Sequence, residues 1–247
     1  MAEKKPDQEM FAAFEVALRE GLAAQPDSMA LYLMLGLCHW YQGRLDEAER
    51  DFAEVTSGAL RLLPDDPMPI DLGNLVSFYW VNDARIREKC PSDTHALVSP
   101  EDVVKSYAWA YLAYIERRKS AIDQAYEAAA NSLELFPYNG EVQRIYLRTV
   151  FDYIAAGRRE WESCFLEAYE AASYNDRTIM HDFAAPAYHV LKINGRDEEA
   201  EVLLEKLKLY LSRVKLFLWT HSLYQELYPY NQKYGIPHAN VINAMPA

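Results

Sequence analysis

Three segments of the chain close alike, as Gln25-Pro26-Asp27, Leu63-Pro64-Asp65 and Phe136-Pro137-Tyr138-Asn139. Pro26 and Pro64 are 38 residues apart, and Pro64 and Pro137 are 73 apart, close to two such periods. Inside these units a turn recurs as Gly43-Arg44-Leu45-Asp46-Glu47-Ala48 and again as Gly195-Arg196-Asp197-Glu198-Glu199-Ala200, with Gly157-Arg158-Arg159-Glu160 as a looser copy. A helix, a glycine turn, a second helix and a proline stop make one helix hairpin. A chain that repeats such hairpins must bury each one against the next.

The residues between these signals have helical spacing. Phe11, Phe14, Leu18 and Leu22 share one face of 11–22, and Ala200, Leu203, Leu204, Leu207 and Leu211 share one face of 197–211. Glycine is scarce, at nine residues, and no alternating strand pattern is bounded by hairpin turns. Hydrophobic residues at 51% supply ample material for a core. The predicted class is all-α.

With the hairpins in place, the chain resembles the tetratricopeptide repeat, a 34-residue helix pair with a W-x2-L-G-x2-Y, A-x3-F and P pattern. Tyr32, Leu35, Gly36, Ala48 and Phe52 sit at the matching offsets, and His39 takes the place of the pattern's tyrosine. Ala59 and Pro64 fit if the second helix is one turn longer than usual. Trp109, Leu112, Ala113, Ala125, Ala129, Ser132 and Pro137 form a second unit. Tyr146, Tyr153, Leu166 and Tyr169 mark a third unit, and Leu191, Gly195, Ala200, Leu204 and Leu207 a fourth. Two helices cross closely only where side chains are small, which gives Gly36 with Ala48, and Ala113 with Ala125, a physical purpose.

The resemblance implies a single domain over 1–247, an α-solenoid of four to five antiparallel hairpins with a C-terminal capping helix. Its units are 9–26 (partial), 28–64, 65–100 (irregular), 101–137, 138–174 and 175–212, with the capping helix and tail over 213–247. Residues 70–82 are predicted to be helical, while Pro91 and Ser92-Asp93-Thr94-His95 break the expected partner helix. The final helix, 214–228, carries two apolar stripes: Leu216, Trp219, Leu223 and Leu227, then Phe217, Tyr224 and Tyr228. The segment after Pro229 is expected to fold back through Tyr230, Tyr234 and Ile236 to cover the second.

Several chemistries are argued against. A net charge of −12 opposes broad attraction to nucleic acid or to an anionic membrane. The longest uncharged stretch, Ser28 to Gly43, is too short to span a bilayer, and the N-terminus has no apolar signal core. Cys38, Cys90 and Cys164 are widely spaced and form neither a disulfide framework nor a zinc motif, which suits a cytoplasmic protein. No phosphate-binding, dinucleotide, metalloprotease or nucleophile-elbow motif is present. His181, Asp182 and His189 invite a metal reading, but Pro186 between them is expected to bend the helix, leaving surface histidines. Acidic runs at 46–54 and 197–205 read as solvated outer faces. The expectation is a protein that is not an enzyme, with no cofactor, metal or catalytic residue.

In tetratricopeptide proteins the first helix of each pair lines a concave groove. The resemblance carries that groove onto Leu37, Trp40 and Tyr41 in the first unit and Tyr107, Tyr114, Arg117 and Arg118 in the second, with Tyr111 beside them. In the third it selects Arg144, Leu147 and Phe151, with Arg148 one turn from Arg144, and in the fourth His189 and Lys192. Tyrosine offers rigid amphipathic contact and arginine binds carboxylates in a bidentate manner. The same residues equally suit packing, with tyrosines filling inter-repeat space and arginines pairing with nearby glutamates. The asparagine that family members use to clamp a peptide carboxylate is replaced by Leu37, Tyr114, Phe151 and His189. The expected function is an adaptor that binds a protein or peptide, an acidic one suiting the arginines, as a monomer or weak homodimer. A chaperone for a secreted or assembling client, or a self-associating scaffold, are the alternatives.

Overall fold

The computed structural model describes residues 8–63, 99–137, 140–175, 179, 182–213 and 233–234. Regular structure among them is helical, apart from an isolated bridge between Ser28 and Arg61. The fold is all-α, and its described helices pair as hairpins. The chain forms two compact units, Met1–Thr149 and Val150–Ala247.

In the first unit, α1 (Gln8–Ala24) precedes a hairpin of α2 (Met29–Tyr41) and α3 (Leu45–Thr56). The Ser28 hydroxyl accepts the Leu31 amide at 3.2 Å, satisfying one of the donors a helix start leaves bare. Gly43 turns the chain at φ 77° with no atom near its Cβ position, so the backbone angle rather than space requires glycine. A second hairpin joins α4 (Pro100–Arg118) to α5 (Ile122–Leu135), followed by the start of α6 (Gly140–Ala155). Ser99 and Asp102 form a reciprocal capping box at the start of α4, with Pro100 in its first turn.

Helix α3 packs directly against α4, so the two hairpins are neighbours in space. Met29, Leu33, Phe52, Val55, Val104 and Ile115 are buried in their shared core. Small residues make the crossings. A Cβ on Gly36 would stand 2.6 Å from the Phe52 ring. Between α4 and α5, the Ser106 hydroxyl donates to the Ser132 carbonyl at 2.8 Å, and the Ser132 hydroxyl to the Ser106 carbonyl at 2.6 Å. Leu18, Leu31, Leu35 and Cys38 form a smaller cluster, against which Phe11 and Leu22 pack. Phe14, expected on that buried stripe, is 40% exposed instead.

In the second unit, a 3-10 turn (Arg159–Trp161) leads into α7 (Glu162–Asn175), and α8 (Ala184–Ile193) pairs with α9 (Asp197–Arg213) across Gly195. Ala184, Ala185, Tyr188, Leu191, Ala200 and Leu207 form a buried cluster between α8 and α9. His181, from which the bent helix was expected to run, lies outside the described residues. Helix α8 begins at Ala184, and Pro186 occupies its first turn, where an amide has no intrahelical acceptor to lose. The predicted elements over 64–98 and 214–228, Cys90, and the tail other than Lys233 and Tyr234 lie outside the described residues. No described helix is long and apolar enough to cross a membrane.

Candidate functional site

Helices α2 and α4 bring five of the expected groove residues into one cluster. Trp40 meets Tyr111 edge-on, with ring centroids 5.5 Å apart, and Tyr114 at 6.1 Å. Tyr111 and Tyr114 lie one helical turn apart and are 6.3 Å from each other. The Arg118 guanidinium sits 4.5 Å from the centroid of the Trp40 ring, within cation–π range. Tyr41 is 62% exposed, and Phe11 of α1 stacks beside it at 6.2 Å. Beneath the cluster Phe52 stacks on Tyr111 at 5.1 Å, which ties the aromatic face to the core. Burial, reinforced by the neighbouring Tyr41, pushes the Tyr111 phenol far up, so its proton stays in place as a hydrogen-bond donor.

Other expected residues are placed differently. Leu37 and Tyr107 pack against the core of the first unit. Arg117 and Arg148 are half-buried, and Arg144 pairs with Glu141 at 3.3 Å. Phe151 is only 1% exposed and packs on Phe165 at 5.5 Å, so it belongs to the core rather than to an open surface. Leu147 is buried as well. His189 is not a solvated surface histidine: it meets Phe151 edge-on, and its Nδ1 hydrogen-bonds the Tyr234 hydroxyl. Lys192 pairs with Asp197 and lies 5.8 Å from the Tyr188 ring.

Charged groups absent from the expected site form a network of their own. His39 is buried, with Nδ1 2.6 Å from Asp51 of α3 and Nε2 3.3 Å from Glu15 of α1. Arg44 donates to Glu15 at 2.6 Å, and Arg19 does so at 2.8 Å. Burial acts to raise Glu15, but hydrogen bonds from Arg19, His39 and Arg44 outweigh it and hold the carboxyl at about 2. Burial pushes Asp51 up, against the hydrogen bond from His39. Asp51 therefore faces inward, although the acidic run containing it reads as a solvated face. A titratable side chain inside the uncharged stretch Ser28 to Gly43 was the available signal, since a buried imidazole needs a polar partner. In the second unit, Tyr153 and Trp161 stack at 4.6 Å with Arg158 over Tyr153 at 4.3 Å, fastening the turn between α6 and α7.

No family model matches the chain, and no curated relative matches it. Solved structures similar to it include two of monomeric IFIT1 mutants, one with Gppp-AAAA and one with m7Gppp-AAAA. Each is 14% identical to this chain over 89% of its length, with a TM-score of 0.47. The chain spans 40% of the length of those structures.

Proposed function

We propose that the chain is a non-enzymatic interaction module that grips a segment of another protein on the face formed by Trp40, Tyr41, Tyr111, Tyr114 and Arg118. The observation that carries this reading is the exposed arginine held over Trp40 beside an exposed tyrosine. A guanidinium stacked on an aromatic ring is pre-organised and weakly hydrated, which lowers the cost of pairing it with a carboxylate. Tyrosine and tryptophan add contact area with few rotors to freeze. An acidic or aromatic partner segment fits this chemistry, whereas the net charge of −12 works against nucleic acid and anionic membrane.

The test is capture from native lysate, read by mass spectrometry, with the intact chain and a Tyr41→Ala, Arg118→Glu double variant in parallel. Both side chains are exposed, so the helical circular dichroism should not change. Proteins retained by the intact chain and lost by the variant are expected. An identical set from both would show that this face is not the binding surface.

A further inference from the structure

A second surface in the molecule already carries an occupant. Tyr234 lies 45 positions beyond His189 in the sequence, yet its hydroxyl is hydrogen-bonded to the Nδ1 of that residue. Its ring centroid is 5.2 Å from that of Tyr188, tilted by 59°, and 5.7 Å from that of His189. With Leu166, Leu203 and Leu204, Tyr234 covers the buried cluster between α8 and α9. The ring meets an apolar floor, two aromatic neighbours flank it, and a nitrogen reads its hydroxyl. That is the composition of a tyrosine-recognition slot.

We propose that Tyr234 is a tethered ligand, and that the α8 surface it fills is a recognition site for a tyrosine-bearing segment. This surface lies in the second unit and uses none of the residues of the Trp40 face, so the two readings stand or fall separately. His189 supports the assignment electrically: burial, then the charge of Lys233, pushes the imidazole down against the opposing pull of Glu162, which favours the neutral ring that can accept from a phenol. A second copy of the same segment can offer the same ring contacts and the same hydroxyl bond. While the chain's own tyrosine is seated, a competitor must overcome an effective concentration of about 1 mM or more.

The probe is a fluorescent synthetic peptide with the sequence of residues 229–239, titrated into the full-length chain and its Tyr234→Ala variant. The variant should bind the peptide at least tenfold more tightly than the intact chain does, and a peptide carrying alanine at the Tyr234 position should not bind. Tyr234→Phe keeps the ring and removes only the hydroxyl bond. It provides the same comparison in a variant of near-native packing, with at least threefold tighter binding expected. Circular dichroism and a melting curve establish that each variant is folded. Equal affinity for intact chain and variants, or no binding to any of them, would overturn the proposal.

Discussion

Replacing Gly36 with alanine tests the central packing argument with a single methyl group. The added Cβ would stand 2.6 Å and 2.7 Å from two atoms of the Phe52 ring. Real Cβ contacts rarely fall below about 3.4 Å, so the ring must retreat by roughly 1 Å. It has nowhere cheap to go, because Phe52 is fully buried and stacked on Tyr111 at 5.1 Å. Alanine in a helix interior gains about 1 kcal/mol over glycine, while overpacking of a tight core costs about 1–3 kcal/mol. With the retreat blocked, the cost falls in the upper part of that range, and the net loss is about 1–2 kcal/mol. In a chain of this size that lowers the melting temperature by about 2–8 °C. Gly21→Ala is the control, since its nearest neighbour is a flexible leucine tip at 3.1 Å, and it should be neutral or stabilising. Thermal denaturation followed by circular dichroism reads both. A Gly36→Ala protein melting at or above the wild-type temperature would refute the close crossing of α2 and α3.

Glu15, held at about 2 rather than its ordinary 4.5, contributes stability that is fully present above pH 4.5 and is lost as pH falls towards 2. The limit is about 3 kcal/mol (2.5 × 1.36), and Glu15→Gln should flatten that acid limb in urea titrations across this pH range. Ser106→Ala should cost about 1–2 kcal/mol by breaking the reciprocal bonds, and Ser106→Ala with Ser132→Ala should cost less than the sum of the single changes in a double-mutant cycle. Ser120 holds a left-handed φ of 61° where the other hairpins use Gly43, Gly157 and Gly195. Ser120→Gly should therefore stabilise by up to about 1 kcal/mol, and a lower melting temperature would contradict this. Ala48→Trp, at a fully buried helix crossing, should cost about 1–3 kcal/mol or prevent folding, and an unchanged melting temperature would contradict the packing.

The helical class and the small residues at the crossings were legible because they follow from short-range spacing. Periodicity of three and four, glycine at turns and proline at stops are properties of consecutive residues, and they act before any tertiary contact forms. Gly36 and Ala48 could be assigned to a crossing from offsets alone, since only small side chains let two helices approach. The clustering of the expected groove residues was legible in part. Trp40, Tyr111, Tyr114 and Arg118 share a face because helical spacing aligns residues within α4 and the hairpin stack sets α4 beside α2. Phe151 was misplaced because a position within a repeat does not state what lies opposite it, and Phe165 closes over it. The inward turn of Asp51, the pairing of His39 with Glu15 and the seating of Tyr234 on His189 were decided by tertiary structure. Each joins residues that are 12, 24 and 45 positions apart respectively, on separate elements. A charge or a ring takes its partner from whatever the packed helices bring within a few ångströms, and that distance is not written in local sequence.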